Sequence, residues 1–294
     1  MPPQSPLLIS IITATFNSAA SIQACIASVA SQTHRPIEHI FVDGDSKDQT
    51  VELLKAAERL YPHVRYISEK DTGVYDAMNK GLRLAKGDYI YFLGSDDRLS
   101  SPSVLEELFG KMSEPGHSVV YGNVKIIGAG FEWAKNGTLY DGAFDLPKLI
   151  SRNICHQTIF YPRSTISAIG QYDTRYRVTA DWDYNLRAFA HTSFEYREVT
   201  VADYNTTGFS SQHDDLHFVY NYAEDLIKRF GGSLFSRRYK GAAEFFGEAG
   251  FMRLRQRKRS GLRYLAAACY HSPAYIGEVL GKLFRRSRTH KNTQ

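Results

Sequence analysis

The chain has 294 residues, 43% of them hydrophobic and 23% charged, a balance that excludes a disordered or fibrous protein. The net charge of +5 is unevenly distributed. From Phe251 onward the chain has eleven Lys and Arg and one acid, Glu278, which gives a net charge of +10. The first 250 residues therefore carry a net charge of −5 and offer no basic surface for nucleic acid. The sequence has three scattered cysteines, no apolar run long enough to span a membrane and no secretory signal at its start. These features favour a cytoplasmic protein with reduced thiols.

Apolar runs and helical patterns alternate through the first third of the chain. We predict strands at 7–14, 37–42, 64–68 and 89–93, and helices that follow Ser18, span 51–60 and span 74–84. Strands that alternate with helices in this way are connected by right-handed crossovers and form a parallel sheet. The sequence therefore predicts an α/β fold with a mostly parallel central sheet flanked by helices.

The pattern changes beyond the fourth predicted strand. We predict a helix ending at Met112, antiparallel strands at 119–127 and 131–140, a short helix at 144–152, a strand at 158–161, a helix at 179–191 and a strand at 194–202. Helical patterns rich in basic residues fill the remainder of the chain. We therefore predict a domain at 1–213, with halves at 1–100 and 101–213, and a basic helical C-terminal extension at 214–294.

Polar side chains follow each of the four predicted parallel strands. They are Thr15 and Asn17, Asp43 and Asp45, Glu69 and Asp71, and Asp96 and Asp97. In a parallel sheet the carboxyl ends of the strands lie along one edge, where open α/β sheets bind their ligands. We therefore expect residues far apart in the sequence to line one crevice at that edge.

The carboxylate pair Asp96 and Asp97 is a candidate metal site. Mg²⁺ and Mn²⁺ prefer oxygen ligands, and Mg²⁺ takes only one or two protein carboxylates while phosphates and water complete its coordination. The pair therefore fits a diphosphate-bearing substrate, although such a pair also occurs in solvated turns. The loop TATFNSAAS after the first strand contains no glycine, which excludes the dinucleotide fingerprint and the P-loop.

Several segments together resemble one known family. The series ISIITATFN, IFVDGDSKDQT, SEKDTGVYDAMNKG and YFLGSDD is similar to the family 2 glycosyltransferases, which are nucleotide-sugar enzymes of the GT-A fold, and CHQTIFY and YRVTADWDYNLR extend the likeness to about residue 210. The resemblance implies a Rossmann-like central sheet, a divalent cation (Mg²⁺ or Mn²⁺) as cofactor, a nucleotide-binding half at 1–100 and an acceptor-binding half at 101–213.

The resemblance also implies roles for residues on the donor side. It assigns the nucleoside to Thr15, Asn17, Asp43 and Asp71, places Ser95 and Asp96 in the family's D-x-D motif, and makes Asp96, with Asp97 beside it, the metal ligand. Two positions depart from the family pattern: Gly94 replaces the first Asp of that motif, and Met78 replaces an arginine that contacts the donor phosphates. Lys80 is either a substitute for that arginine or a surface lysine.

On the acceptor side the resemblance identifies Asp181 as the catalytic base. Attack by a hydroxyl on the anomeric carbon requires removal of its proton while the diphosphate leaves from the opposite face, so the product has inverted anomeric configuration. The alternative for Asp181 is stabilisation of the helix dipole in the first turn. His156, Gln157 and Trp182 are further candidates on this side, with packing in the core as the alternative.

The predicted function is a metal-dependent, inverting transfer of a sugar from a nucleotide diphosphate sugar, with UDP favoured, to a hydroxyl of a glycan or lipid-linked acceptor in cell-surface polysaccharide or glycolipid biosynthesis. The basic C-terminal segment predicts either peripheral contact with an anionic membrane on its cytoplasmic face or a packed appendage with a solvated end. The alternatives are a non-catalytic nucleotide-binding scaffold and a sugar-nucleotide pyrophosphorylase. A pyrophosphorylase requires a glycine-rich, basic loop after the first strand, and this sequence has no such loop there.

Overall fold

The computed structural model describes residues 6–128, 135–205, 215–277, 279 and 280. The chain divides into two compact units. The first contains Met1–Phe144 and Ile154–His213, and the second contains Asp145–Asn153 and Asp214–Gln294. The second unit therefore includes a short segment from the middle of the chain, which no pattern in the sequence indicates.

A mixed sheet forms the centre of the first unit. Over the described residues its strands are β1 (Ile9–Thr15), β2 (Ile37–Asp43), β3 (Val64–Ser68), β4 (Tyr89–Phe92), β5 (Arg98–Leu99), β6 (Val119–Ile127), β7 (Leu139–Tyr140), β8 (Ile159–Pro162) and β9 (Phe194–Asn205). Their order is β3-β2-β1-β4-β8-β6-β9-β5, and β7 pairs with β6. The first four strands are parallel, whereas beyond β4 the β6–β9 pair is parallel and the remaining described pairs are antiparallel.

Helices connect the strands and make up the second unit. Those of the first unit are α1 (Ile22–Ala30), α2 (Thr50–Leu60), α3 (Val74–Leu84), α4 (Val104–Phe109), α6 (Arg163–Ile169) and α7 (Ala180–His191), while the second unit contains α5 (Leu146–Ser151), α8 (Leu216–Phe230), α9 (Ala243–Arg255) and α10 (Ser260–His271). A single 3₁₀ turn, His156–Thr158, leads into β8.

The predicted parallel strands are confirmed to within two residues at each end, because continuous runs such as ISIITAT are buried along most of their length. The register places Thr15 opposite Asp43 and Asp43 opposite Ser68, so the polar strand ends lie side by side. Helix α3 packs closely on β1, because a side chain at Gly81 would collide with Ile12. This contact fixes the loop before α3 against the same edge.

Other sequence predictions differ from the structure in detail. The helix predicted to follow Ser18 begins at Ile22 as α1, with Ser21 at its N-cap, and the Ser18 carbonyl accepts the Ile22 amide. Of the strand predicted at 131–140, residues 131–134 lie outside the described residues and the final two form β7. Strand β5 and helix α6 were not predicted, since two and seven residues are too few to show a periodic pattern.

The second unit is a helical assembly with its own buried contacts. Tyr222 of α8 donates a hydrogen bond to the carbonyl of Ile150 at 2.6 Å, which joins α5 to the C-terminal helices. The guanidinium of Arg253 lies between two tyrosine rings, 4.1 Å from the centroid of Tyr220 and 4.4 Å from that of Tyr264. Among the described residues of the whole chain, no helix is long and apolar enough to cross a membrane.

Candidate functional site

A cavity of about 640 Å³ lies at the carboxyl ends of β1 and β4, and this volume is typical of small-molecule sites. Its lining comes from residues 14–18 at the end of β1, 21, 71–78 around the start of α3, 93–97 after β4, 156–157, 174, 176–178 and 204–205. The segments are far apart in the sequence and meet at the strand ends. This is the edge of the sheet at which the sequence predicts a ligand crevice, because strands and helices alternate along the chain.

The loop after β1 forms one wall of the cavity. Asn17, with a φ of +49°, donates its backbone N–H to the Ser46 hydroxyl at 2.8 Å and accepts the Lys47 amide at 2.8 Å through its side chain. These bonds tie the loop after β1 to the loop after β2. Phe16 is thereby held at the cavity with 61% of its surface exposed, so an aromatic face is available to a flat ligand.

Asp43 stands behind this wall rather than in it. Its side chain is fully buried and accepts hydrogen bonds from the Thr15 hydroxyl at 3.2 Å, the Ser68 hydroxyl at 2.7 Å, and both the amide and the hydroxyl of Ser46. Asp43 is not among the residues that line the cavity, whereas Thr15 is. Asp43 therefore organises the loops, and its predicted contact with a nucleoside base stays a prediction.

Asp71 lines the opposite side of the same wall. A Cβ atom at Gly44 would lie 2.5 Å from its Oδ2, so the missing side chain at Gly44 makes room for the carboxylate. The other oxygen of Asp71 accepts the Gly73 amide at 2.9 Å, and burial raises the pKa of Asp71. Asp45, at the same predicted edge, instead pairs with Lys47 at 2.7 Å and does not line the cavity.

The turn after β4 brings Ser95 and Asp96 to the cavity. The Ser95 hydroxyl lies 2.9 Å from the hydroxyl of Ser18, which joins the ends of β1 and β4. A Cβ atom at Gly94 would lie 3.1 Å from Oδ1 of Asp96 and would collide with the carboxylate of Asp97. The glycine that replaces the first Asp of the family motif is therefore required by the tight conformation of this turn.

Asp97 is the buried member of the carboxylate pair. Only 2% of its surface is exposed, and its two oxygens accept the Gln157 side-chain amide at 2.7 Å and the Asn205 backbone amide at 2.9 Å. Burial, and secondarily the charge of Asp96, raises the pKa of Asp97 to about 7. The side-chain carbonyl of Gln157 also accepts a hydrogen bond from the Cys155 thiol at 2.8 Å, so both the NH₂ group and the carbonyl oxygen of this side chain are hydrogen-bonded.

Asp181 lies in the first turn of α7 and is not itself among the residues that line the cavity, although two of its side-chain neighbours are. Its Oδ1 accepts the Tyr75 hydroxyl at 3.3 Å, and its Oδ2 lies 3.4 Å from Nδ1 of His156. Tyr75 and His156 both line the cavity, whereas Trp182, which follows Asp181, does not. The structure thus brings Asp181 and His156 together, and leaves the predicted acceptor role of Trp182 without a lining contact. Oδ1 of Asp181 also accepts the backbone amide of Trp182 at 2.8 Å, as a carboxylate at a helix N-terminus does, so the helix-dipole interpretation stays open beside the contacts with Tyr75 and His156.

The lining of the cavity is predominantly acidic. Among the described residues, Arg177 is the one Lys or Arg that lines it, against the carboxylates of Asp71, Asp76, Asp96 and Asp97. Lys80, the candidate substitute for the missing arginine, points elsewhere: its ammonium group contacts Glu69 at 2.9 Å and the carbonyl of Lys70 at 2.6 Å. In this arrangement the ammonium group is already engaged, and its contact with donor phosphates stays a prediction.

The donor set around Asp96 fits a divalent cation that shares its coordination with a ligand. Burial raises the pKa of Asp96, and in the described part of the chain no Lys or Arg pairs with its carboxylate. The described residues contain no group of three His, Cys, Asp or Glu side chains able to hold a metal alone. A cation here would need oxygens from a diphosphate and from water, which is the usual situation of Mg²⁺.

Three residues of the site were not found from the sequence. Phe16 is the large aromatic in the polar run TFNS, and this exception to the pattern was a usable signal. Tyr75 contacts the Asp181 carboxylate and the carbonyl of Val178 at 2.6 Å, a long-range contact that no local pattern shows. Asn205 contributes its backbone amide, so its residue type carries no information.

The comparison with protein families identifies the chain. Residues 10–184 match the family described as Glycosyl transferase family 2, which is more than half of the chain. This protein belongs to glycosyl transferase family 2. The glycosyltransferase is 42% identical over 210 residues to the PGL/p-HBAD biosynthesis glycosyltransferase of Mycobacterium bovis, covering 68% of this chain and 78% of the relative. It is also 32% identical over 249 residues to an uncharacterized glycosyltransferase of Mycobacterium tuberculosis, covering 81% and 92%.

Solved structures establish that the glycosyltransferase has the GT-A fold. S. aureus TarS 1-349 in complex with UDP superposes with a TM-score of 0.60 at 16% identity, covering 90% of this chain and 89% of that chain. The mannosyltransferase PcManGT of Pyrobaculum calidifontis, in complex with GDP-Man and Mn²⁺, superposes with a TM-score of 0.55 at 14% identity, covering 98% and 81%. The chain spans 54% of the longer TarS chain.

Proposed function

We propose that this glycosyltransferase moves a sugar from a nucleotide diphosphate sugar to a hydroxyl of a glycan or lipid-linked acceptor with inversion at the anomeric carbon. One observation carries the proposal: a single cavity joins the Asp96 turn to His156, and His156 is paired with Asp181. A site that displaces a diphosphate needs a charge stabiliser at one end and a proton acceptor at the other. Asp96 and Asp181 meet these two requirements.

The nucleoside binds at the wall formed by residues 14–18 and the Asp71 loop. Phe16 offers a ring face for the base, Asn17 and Thr15 offer polar atoms for the base and ribose, and the Asp71 carboxylate accepts hydrogen bonds there. Asp43 reaches the base only if one of its present donors, such as the Ser46 hydroxyl, turns away. Residues 1–100 thus supply the donor side, while residues 101–213 supply His156, Gln157 and Asp181 on the acceptor side.

Asp181 removes the proton of the attacking hydroxyl. Its Oδ1 accepts the Trp182 backbone amide at 2.8 Å and lies 3.3 Å from the Tyr75 hydroxyl, which also donates to Val178, and its Oδ2 lies 3.4 Å from Nδ1 of His156, so its position does not depend on the substrate. The proton moves from the acceptor oxygen to the Asp181 carboxylate as the new glycosidic bond forms and the bond to the diphosphate breaks, with the electron pair leaving on the diphosphate. Because attack and departure occur on opposite faces, the anomeric configuration inverts.

Asp96 would hold Mg²⁺ or Mn²⁺ together with the donor phosphates, and the cation would neutralise the charge that develops on the leaving diphosphate. Asp97 supports the turn from behind, since its oxygens already accept Gln157 and Asn205. PcManGT carries Mn²⁺ in its complex with GDP-Man, and TarS has been solved with UDP and with UDP-GlcNAc. Those two proteins support the metal and favour UDP as one of two donor classes to test first.

The acceptor lies at the His156 end of the cavity. The PGL/p-HBAD biosynthesis relatives support a lipid-linked or glycoconjugate acceptor, and such an acceptor would bring the enzyme to the cytoplasmic face of a membrane. Glycolipid or cell-surface polysaccharide synthesis is the process that this combination of donor, acceptor and relatives favours.

The experiment that tests the donor class is a calorimetric titration of UDP, GDP, TDP and CDP, with and without Mn²⁺, into the wild type and Asp96→Ala. We expect saturable binding of one nucleotide that requires both the metal and Asp96. Asp45→Ala is the matched control, because Asp45 lies at the same sheet edge but pairs with Lys47 outside the cavity. Absence of binding by every nucleotide in a folded wild type would refute the transferase proposal and favour the scaffold alternative.

A further inference from the structure

The exposed face of α10 has an unusual composition. On α10 the exposed residues Leu262, Ala266 and Tyr270 recur every four residues with exposed Arg263 beside them, and the end of α9 and the turn that leads into α10 add the exposed arginines Arg255, Arg257 and Arg259. We call this set the α10 face. Leu262 is 60% exposed and Tyr270 is 54% exposed, so the face combines large apolar groups with arginines. A solvent-facing helix surface normally mixes charges of both signs.

Acidic partners are absent from this part of the sequence. Between Ala249 and Gly277 there is no Asp or Glu, so the positive charge is not compensated locally. Two nearby cations are occupied: Arg253 pairs with Glu224 at 2.8 Å, and Lys258 donates to the Tyr220 hydroxyl at 2.7 Å. The side chains of the four arginines of the α10 face make no hydrogen bond or ion pair with any other described residue.

The backbone beneath the α10 face is held rigidly. Helices α9 and α10 approach each other at two glycines, because a Cβ atom at Gly261 would lie 2.6 Å from the carbonyl of Gly250. The opposite side of α10 is buried, with Tyr264 and Leu265 against the rest of the unit. The ring of Phe235, itself 36% exposed, packs edge-on against Tyr270 with centroids 5.6 Å apart and extends the apolar end. The arginines and apolar groups therefore form one fixed surface.

We infer that the α10 face docks in the plane of an anionic phospholipid bilayer. Arginines and an exposed leucine and tyrosine on one side of a helix match the headgroup region, where phosphates meet the cations and the apolar side chains enter the acyl boundary. Residues 1–250 carry a net charge of −5, so the net positive charge of the chain belongs to the segment from Phe251 onward, which contains the α10 face. The inference rests on the proposed function in one respect only, since docking would give the enzyme access to a lipid-linked acceptor.

The test is flotation of the full chain with vesicles of phosphatidylcholine alone and of phosphatidylcholine mixed with phosphatidylglycerol, without donor or metal. We expect binding to the mixed vesicles that weakens as salt is raised. Arg259→Gln with Arg263→Gln should reduce it about 25-fold, since each basic residue near an anionic surface contributes roughly fivefold. Arg237→Gln with Lys240→Gln removes the same charge from exposed positions of the same unit and should leave binding unchanged.

A second pair of variants tests the apolar part of the face. Leu262→Ser should weaken binding to the mixed vesicles, whereas Leu216→Ser, at a leucine that is 63% exposed on α8, should not. Thermal unfolding of each variant shows whether it is folded. No binding to either vesicle, or binding that neither the arginine pair nor Leu262→Ser reduces, would overturn the inference. Association of the protein with itself in sedimentation, abolished by Leu262→Ser in the absence of vesicle binding, would assign the face to a second copy instead and also overturn it.

Because vesicle binding is read without turnover, its failure is separable from failure of the proposed reaction. A protein that binds nucleotide and releases sugar but ignores anionic vesicles would retain the proposed function and lose the membrane inference. A protein that binds vesicles through the α10 face but no nucleotide would retain the inference and lose the proposed reaction.

Discussion

Asp97→Asn is the substitution whose effect the structure defines most closely. The ordinary pKa of Asp97 is 3.8, and burial raises it to about 7 in the folded protein. From pH 4 to 7 the unfolded chain releases this proton while the folded protein keeps it, so the contribution of Asp97 to the free energy of unfolding falls as pH rises. A shift of roughly three pKa units corresponds to about 4 kcal/mol across this window.

Asparagine has no such titration, so the difference between variant and wild type should depend on pH. Near pH 4 we expect Asp97→Asn to be less stable by about 1 kcal/mol, because its NH₂ group cannot accept both the Gln157 and Asn205 donors. Near pH 8 the neutral side chain should make the variant more stable than the wild type by about 3 kcal/mol.

The assay for this prediction is urea unfolding in EDTA at a series of pH values, with identical buffers for both proteins. Metal is removed because a cation near Asp96 would favour the ionised form of Asp97 and shrink the effect. Glu52→Gln, which neutralises an exposed carboxylate on α2, is the control. A stability difference between wild type and Asp97→Asn that stays constant from pH 4 to 8 would refute the reasoning.

Three further substitutions probe other parts of the site. Phe16→Ala should weaken nucleotide binding by about five- to hundredfold in calorimetry, since base–aromatic stacking contributes about 1–3 kcal/mol, while Phe16→Tyr should preserve it. Tyr75→Phe removes the hydroxyl that holds Asp181, so turnover should fall roughly tenfold with unchanged nucleotide affinity; a fall in affinity instead would assign Tyr75 to donor binding. Gly94→Ala should lower the free energy of unfolding by about 1–3 kcal/mol and impair metal-dependent nucleotide binding, because the new Cβ atom would crowd the carboxylates of Asp96 and Asp97. An unchanged free energy of unfolding and unchanged nucleotide binding would show that the turn can relax.

The first half of the fold could be predicted from the sequence because its strands are continuous apolar runs separated by helical patterns. β1 to β4 are confirmed on that basis, and so is the convergence of their polar ends on one edge. The second half was harder, since β5 has two residues and exists only through its pairing with β9. The contribution of α5 to the helical unit depends on contacts such as Tyr222 with Ile150, which are distant in the sequence.

Within the site, the types of the functional residues could be predicted from the sequence, but the directions in which their side chains point could not. Adjacent Asp96 and Asp97 look alike in the sequence and both line the cavity, yet Asp97 is buried and accepts hydrogen bonds from Gln157 and Asn205, whereas Asp96 is more accessible. Asp43 similarly ends a strand at the correct edge but points inward to hydroxyl donors. Side-chain direction at strand ends depends on loop conformation, which is set by long-range bonds such as those between Asn17 and the Ser46–Lys47 segment.

The central claim is that Asp96 and Asp181 act in the same reaction in separate roles, Asp96 at the leaving diphosphate and Asp181 at the attacking hydroxyl, which is that of water in the absence of an acceptor. It is tested most directly by measuring, for Asp181→Asn, both nucleotide affinity and release of sugar from nucleotide sugars that carry the nucleotide identified by the titrations. We predict that affinity stays within about twofold of the wild type while sugar release falls at least about a hundredfold, as expected for loss of a general base. Sugar release at the wild-type rate by Asp181→Asn would contradict the account.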